Sequence, residues 1–375
     1  MGNNIVDSLQ GLSDYSFCKF DMADWIKREY GKGAIDRAGE YLKNWWVSSE
    51  DTDSHEEWSK QFGILENWRT SHDFPLTSVQ RALRNRAQKI EKHVIVARRL
   101  KRFPSIMNKL ARESAMKLSQ MQDLGGCRAI LSNVNAVQLL FEMYGGEAPL
   151  LPSEGSRKCD DYIKNPKTDG YRGIHIVERY HSHSELFVPW DRQRIEIQLR
   201  TQLQHSFATA VETVTTFTRA PLKFGAGPAE WRRFFSLMGS ALATREQTPL
   251  VPNTPTSNAE LIRELRDASN SLKVHQRLRG WADALKTLRS QHMKDSQLLL
   301  LVLDMSQNTV KAQGFKERTD AMQAIAEIEK SKNSNLDAVL VWVSSFRRLR
   351  AAYPNYYADT GKFLVTLDAA LAGKQ

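Results

Sequence analysis

Along the first third of the chain, apolar side chains recur every three or four residues, with charged residues between them. This spacing predicts that residues 1 to about 120 are mostly helical and that the apolar stripe packs in a core. The stripe comprises Trp25, Ile26, Tyr30, Ala38, Tyr41, Leu42, Trp45 and Trp46. Residues 67–75 are predicted to form a structured loop ended by Pro75, and a long helix is predicted over residues 77–100, with a break near Pro104.

From Met121 onward the pattern changes to short runs rich in β-branched residues. Strands are predicted at residues 129–131, 174–177, 186–188 and 194–199, and helices at 202–214 and 231–242. This alternation predicts an α/β (α+β) fold in which a sheet lies between helices.

A third region follows a stretch rich in Pro, Thr and Asn at residues 248–258, whose composition is typical of a linker. Charged helices are predicted over 259–292, a hairpin from 297–303 and 309–313, a helix at 317–331 and a strand at 338–343. We therefore divide the chain into a large domain with a helical N-terminal part (1–247), a linker (248–258) and a small C-terminal α/β module (259–375).

Composition adds a surplus of positive charge. The formal net charge is +10 and the pI is near 9.4, which favours a polyanionic partner such as nucleic acid or nucleotide phosphates. The longest apolar run, residues 298–303, suits a buried strand, and the first residues do not resemble a secretory signal. No CxxC pair occurs among the three cysteines. We expect a cytoplasmic protein that has no membrane partner.

A basic segment at residues 99–109 has the chemistry of a phosphate site. Arg99 and Lys101 precede Pro104, and Ser105 and Lys109 share one face if the residues after Pro104 are helical. A hydroxyl and an ammonium group at a helix start suit a triphosphate. A solvated basic face would have the same composition, so the segment alone leaves both interpretations open.

Two acids could complete a nucleotide site. Asp123 precedes two glycines at a predicted strand entrance, a common place to hold Mg²⁺ against phosphates, although a turn cap is the alternative. Strict alternation over residues 194–201 places Glu196, Gln198 and Arg200 on one strand face, opposite the apolar residues. A plain amphipathic edge strand would alternate in the same way.

Between the two acids lies a loop that combines cations with an aromatic ring. Its residues Lys164, Asn165, Lys167 and Arg172 surround an Asn-Pro and an Asp-Gly turn, and Tyr171 lies at its exit, before His175. A ring beside cations suits a base stacked above its phosphates. A surface hairpin could have this composition by chance.

Taken together and in this order, the four blocks resemble the synthetase domain of the RelA/SpoT family over roughly residues 60–215. The blocks are R-x-K-x-x-x-S-x-x-x-K at residues 99–109, MQDLGGCRAI, YIKNPKTDGYRGIH and EIQLRTQLQH. The resemblance implies a nucleotidyltransferase-like mixed sheet flanked by helices, and transfer of pyrophosphate from ATP to a ribose hydroxyl with Mg²⁺.

The resemblance also implies roles for individual residues. Asp123 and Glu196 would be catalytic and bind the metal. The ATP-binding residues would be Arg99 and Arg128 around the adenine and Lys101, Ser105 and Lys109 on the phosphates. Acceptor binding would involve Lys164, Asn165, Lys167, Tyr171, His175, Gln198 and Arg200. A family hydrolase domain is not expected, because His72-Asp73 is a lone dipeptide.

The family pattern leaves the acceptor open between GDP or GTP, as in small alarmone synthetases, and the 3′-CCA end of tRNA, as in a toxin branch that blocks translation. The basic surplus and the C-terminal module favour tRNA. The spacing of Tyr353 and Tyr356 resembles the neutralising motif of fused toxin–antitoxin proteins of the CapRel type, which a phage capsid protein releases. A catalytically inactive, basic RNA-binding module is the second alternative, though such a module would not need the two acids.

Overall fold

The computed structural model describes residues 25–48, 55–146, 158–182, 184–218, 222, 227–275, 278, 298–304, 309–331, 336–342 and 361–373. Tyr353 and Tyr356, on which the prediction of autoinhibition rests, lie outside these ranges. None of the helices in the described ranges has both the length and the apolar character that crossing a membrane requires.

Three helices open the described chain: α1 (Lys32–Val47), α2 (His55–Ser71) and α3 (Asp73–Ile90). Ala38, Leu42 and Trp45 are buried, as the apolar stripe predicts. The prediction is wrong for Ile26 and Tyr30, which are 38% and 37% exposed. These two residues precede α1 in a segment that forms no helix.

Two further predictions for this region are wrong. Residues 67–75 are not a loop, because α2 runs to Ser71 and α3 starts at Asp73, so that Pro75 falls in the first turn of a helix, where proline is tolerated. Residues 77–100 are not one helix, because β1 (Ile95–Leu100) follows α3. The β-branched pair Ile95 and Val96 favours this strand.

The sheet beside these helices has five strands in the order β1-β2-β5-β4-β3, and it confirms the predicted mixed sheet flanked by helices. After β1 the chain forms α4 (Phe103–Arg112), β2 (Gly125–Leu131), α5 (Val134–Glu142), β3 (Lys158–Asp161), β4 (Ile174–Arg179) and β5 (Arg194–Thr201). The β2–β5 pair is parallel and the other three pairs are antiparallel. The strand predicted at 186–188 is instead part of a 3-10 helix, Glu185–Trp190, which Ser184 caps and which contains Pro189.

Helices α6 (Gln202–Thr218) and α7 (Ala229–Glu246) follow the sheet, and α8 (Asn258–Ser271) packs on α7. The predicted linker between α7 and α8 is packed against the protein, with Val251 buried and its N–H bonded to the Ser240 hydroxyl. The last described helix, α10 (Gly361–Leu371), joins the same apolar core through Phe363 and Leu367.

The C-terminal module contains a second, antiparallel sheet in the order β7-β6-β8. Its strands are β6 (Leu298–Asp304), β7 (Thr309–Phe315) and β8 (Leu336–Trp342), and α9 (Arg318–Lys330) lies between β7 and β8 in the chain. The β6–β7 pairing confirms the predicted hairpin. Buried Leu300, Ile325 and Ala338 form a small separate core.

Candidate active site

A cavity of about 960 Å³ opens on one face of the five-stranded sheet. Its walls come from β1, β2, β4 and β5, from α4 and α6, and from α9 and β8 of the C-terminal module. Most of the predicted site residues line it: Arg99, Lys101, Ser105, Lys109, Asp123, Arg128, Lys167, Tyr171, His175, Glu196, Gln198 and Arg200. Lys164 and Asn165 are exposed on the loop after β3 and do not line it.

In the cavity wall, two lysines form ion pairs with one aspartate. Asp123 lies just before β2 and Lys101 just after β1, and a backbone hydrogen bond from Lys101 to Leu124 brings them side by side. Lys101 Nζ lies 2.6 Å from one Asp123 oxygen, and Lys109 Nζ, from α4, lies 3.0 Å from the other. Burial acts to raise the pKa of Asp123, but the two ammonium groups outweigh it and lower this pKa to about 2. Asp123 is therefore ionised at neutral pH.

Two arginines lie further along the same strands. In the antiparallel β1–β2 pair, Arg99 is opposite Gly126, and Arg128 is opposite Ala97 two residues away, so both arginines share the sheet face that lines the cavity. Glu212 of α6 faces Arg99, with Oε1 4.0 Å from Nη1.

A closed ring of hydrogen bonds surrounds Glu196 on β5. His175 Nδ1 lies 2.9 Å from Glu196 Oε1, and Tyr171 Oη is within hydrogen-bond distance of His175 Nε2. Arg200 donates to both the Tyr171 hydroxyl and the Gln198 carbonyl oxygen at 2.7 Å, and Gln198 donates to Glu196 Oε2 at 2.6 Å. Because His175 Nδ1 faces a carboxylate, this nitrogen carries the proton, and Nε2 accepts from the tyrosine.

Two tyrosine rings and a lysine lie beside this ring of hydrogen bonds. Lys167 Nζ lies 4.1 Å from the centre of the Tyr162 ring and 5.4 Å from that of Tyr171. Burial raises the pKa of Tyr171 to about 12, so its hydroxyl stays protonated and can donate to His175. Tyr162 begins the block YIKNPKTDGYRGIH, but the sequence alone assigned it no role.

Arg172, which the sequence suggested as one of the cations of this loop, has a structural role instead. Its side chain is buried and donates hydrogen bonds to the carbonyl oxygens of Ile163, Gly239 and Pro249 and to the Thr248 hydroxyl. The guanidinium thus ties the loop to α7 and to the segment after it.

The C-terminal module reaches the cavity through Glu329 of α9. Glu329 Oε1 accepts a hydrogen bond of 3.0 Å from the Phe103 N–H, at the start of α4, and lies 3.3 Å from Arg69 Nη1. Its Oε2 is buried without a hydrogen-bond partner. Nothing in the sequence marked Glu329, because its contacts lie more than 200 residues away along the chain.

Part of this chain is similar to a known protein family and to solved structures. Residues 98–218 match the family model described as a region found in RelA/SpoT proteins. A structure of small alarmone synthetase 1 from Bacillus subtilis bound to pppGpp is 20% identical, covers 51% of this chain and 94% of its own, and has a TM-score of 0.40. A GTP pyrophosphokinase family protein from Streptococcus pneumoniae is 21% identical, covers 48% of this chain and 89% of its own, and has a TM-score of 0.38. No curated protein sequence matches the chain.

The matched segment begins in β1 and ends with α6, so it includes Asp123 and Glu196 with their hydrogen-bonded partners. Residues 98–218 of this chain form a domain of the kind found in RelA/SpoT proteins.

Proposed function

We propose that this chain transfers pyrophosphate from ATP to a ribose hydroxyl of an acceptor bound in the same cavity. The observation that carries the proposal is the position of two different sites in one cavity. The Lys101–Asp123–Lys109 cluster and the hydrogen-bond ring that joins Glu196 to Tyr171 through His175 both line it. Little covalent chemistry is required of the protein in such a transfer, which depends on alignment and on compensating charge.

ATP binds with its phosphates on Lys101, Ser105 and Lys109. Ser105 and Lys109 are four residues apart on α4, and the N-terminus of this helix favours anions. The adenine lies against Arg99 and Arg128, because a guanidinium plane stacks well on a ring.

The carboxylates present fit Mg²⁺. Asp123 and Glu196 lie near enough for the charge of Asp123 to act on the pKa of Glu196, and between them Gly126 carries no side chain. Mg²⁺ is commonly held by one or two carboxylates together with substrate phosphates, so Asp123 and Glu196 would hold it with the triphosphate. When bound, the ion compensates negative charge on the phosphates.

In the reaction, the acceptor hydroxyl oxygen forms a bond to the β-phosphorus of ATP. The bond from this phosphorus to the oxygen bridging to the α-phosphorus breaks, and AMP leaves. The hydroxyl proton passes to Glu196. Burial acts to raise the pKa of Glu196, but hydrogen bonds from His175 and Gln198 lower it, so the carboxylate is ionised and can orient and accept this proton.

The acceptor that we propose is the 3′-CCA end of tRNA, whose modification blocks translation. Tyr171 stacks on the terminal base, beside Lys167 and Arg200. Further along the same strands, Arg179 lies directly opposite Arg194. Like charges in this position destabilise a sheet, although the Arg194 guanidinium also donates to the Gln120 carbonyl oxygen, and an RNA backbone supplies phosphates that would compensate both charges.

We further propose that the C-terminal module restrains this activity, as an antitoxin would. The support is Glu329, which places a carboxylate at the N-terminus of the phosphate-binding helix α4. This side chain occupies the Phe103 N–H at the start of α4, so a triphosphate bound there would have to displace it. Tyr353 and Tyr356 as the inhibitory motif, and a phage capsid protein as the trigger, stay predictions.

The Glu329 contact predicts a pH-dependent restraint. Burial raises the pKa of Glu329 to about 7, with Glu66 acting in the same direction, although Arg69, the Phe103 N–H and Arg102 oppose this. Because the docked carboxyl binds a proton more readily than a free one, docking is strongest below the ordinary glutamate pKa and weakens as the pH rises through about 7. We therefore expect the ratio of the wild-type transfer rate to the Glu329→Gln transfer rate to rise between about pH 5 and pH 8.

Glu329→Ala removes the contact at every pH, and we expect it to raise transfer by about tenfold at low pH. Arg69 remains paired with Glu66 in this variant, so the protein should still fold. Equal activity of wild-type protein and Glu329→Ala at every pH would show that α9 does not restrain the site. Transfer of label from the terminal phosphates of ATP to deacylated tRNA tests the function itself.

A further inference from the structure

The wall of the cavity behind Arg99 and Arg128 is one face of α6. Ala208, Val211, Glu212 and Thr215 line the cavity, and their spacing puts them on a single side of the helix. This wall is apolar except for the Glu212 carboxylate and the Thr215 hydroxyl, which lie one turn apart. Glu212 faces Arg99, so these polar groups lie on the side of the cavity that carries Arg99.

The Thr215 hydroxyl is unlike its neighbours on the same helix. The hydroxyls of Thr209 and Thr213 each donate to the carbonyl four residues earlier, at 2.9 Å, as helical threonines commonly do. Thr215 Oγ1 is buried and has no hydrogen-bond partner. A buried polar atom without a partner is costly, and its position in a cavity wall indicates a ligand that supplies the missing bond.

We propose that Glu212 and Thr215 read the adenine edge of the donor nucleotide and so select ATP. This inference rests on the proposed function, which places the donor base between Arg99 and Arg128. The Glu212 carboxylate accepts a hydrogen bond from the adenine 6-amino group, and the Thr215 hydroxyl donates to an adjacent ring nitrogen. A 6-oxo purine offers an acceptor where Glu212 needs a donor, so the carboxylate repels it.

The test is nucleotide binding to the full-length protein by titration calorimetry, with ATP, ITP and purine riboside triphosphate as probes. ITP carries an oxygen in place of the 6-amino group, and the riboside lacks that group. We expect wild-type protein to bind ATP about 10- to 100-fold more tightly than either analogue, the value of one hydrogen bond to a charged group. In Glu212→Gln, whose amide can accept or donate, the preference for ATP over ITP should fall to about threefold or less.

Thr215→Val should weaken ATP binding by about three- to tenfold, the value of one neutral hydrogen bond. Thr213→Val is the matched control, because Thr213 is on the same helix, is bonded to Thr209 and does not line the cavity. It should leave the ATP preference unchanged.

The inference is overturned if ATP does not bind or if wild-type protein binds ITP as tightly as ATP. It is also overturned if Glu212→Gln weakens the binding of all three nucleotides by the same factor. The last result would mean that Glu212 only holds Arg99 in place. Selective ATP binding that depends on Glu212, without transfer to any acceptor, would support this inference while contradicting the proposed function.

Discussion

Replacing Asp123 by asparagine is expected to lower pyrophosphate transfer by about 10³-fold or more, with little change in folding. The carboxylate pairs with both Lys101 and Lys109 and is the better placed of the two acids to hold Mg²⁺ at the triphosphate. Asparagine keeps the shape of the side chain but loses its charge, so the two ammonium groups repel each other and the metal loses a ligand. The charge compensation lost amounts to several kcal/mol, and each 1.4 kcal/mol corresponds to a tenfold change in rate.

The measurement is the rate of AMP formation in the presence of acceptor, together with the thermal midpoint of unfolding. Glu113→Gln is the control, since Glu113 also lines the cavity but is partly exposed and is paired with Arg112. It should change the rate by less than about threefold, as expected for an exposed ion pair. Transfer by Asp123→Asn at the wild-type rate would remove Asp123 from the mechanism.

Replacing Arg172 by methionine is expected to destabilise the protein by about 3–5 kcal/mol, the cost of breaking a buried charged network. The loss would leave the carbonyls of Ile163, Gly239 and Pro249 without their donor. No nearby side chain can rearrange easily, because the turn is closely packed: a Cβ on Gly170, where φ is +86°, would lie 2.4 Å from the Phe235 carbonyl oxygen.

Urea unfolding measures this loss as a lower midpoint at constant slope. Arg192→Met is the control, because the Arg192 side chain is 75% exposed. This variant loses a single ion pair, in which Arg192 Nε lies 3.8 Å from an Asp191 carboxylate oxygen. Its effect should stay below about 1 kcal/mol. An unchanged midpoint in Arg172→Met would show that the network contributes nothing to stability.

The positions that alternate along strands were predictable from sequence. Glu196, Gln198 and Arg200 share a face because a strand repeats every two residues, and the structure joins them in one hydrogen-bond ring. Lys101 and Lys109 also lie together, because strand β1, which the sequence predicted as helix, and helix α4 place both ammonium groups against Asp123. Their role in binding phosphates stays a prediction.

Contacts between distant segments were not predictable. Arg172 has the same charge as Lys167 and lies five residues away, yet one side chain is buried in the packing of α7 and the other lines the cavity. Local pattern cannot separate these two positions, because the burial of Arg172 depends on residues 163, 239, 248 and 249. The same limit applies to Glu329, whose partners are Arg69 and Phe103.

The most direct test of the central claim offers ATP, labelled on its terminal phosphates, to the full-length protein with Mg²⁺ and either deacylated tRNA, GDP or GTP. The full chain is required because α8 and α10 belong to the same apolar core as α7. Wild-type protein, Glu329→Ala and Asp123→Asn are compared. The account predicts label on tRNA, more of it with Glu329→Ala and none with Asp123→Asn. Label on GDP or GTP with tRNA untouched would contradict the tRNA acceptor, and no transfer to any acceptor would contradict the proposed reaction.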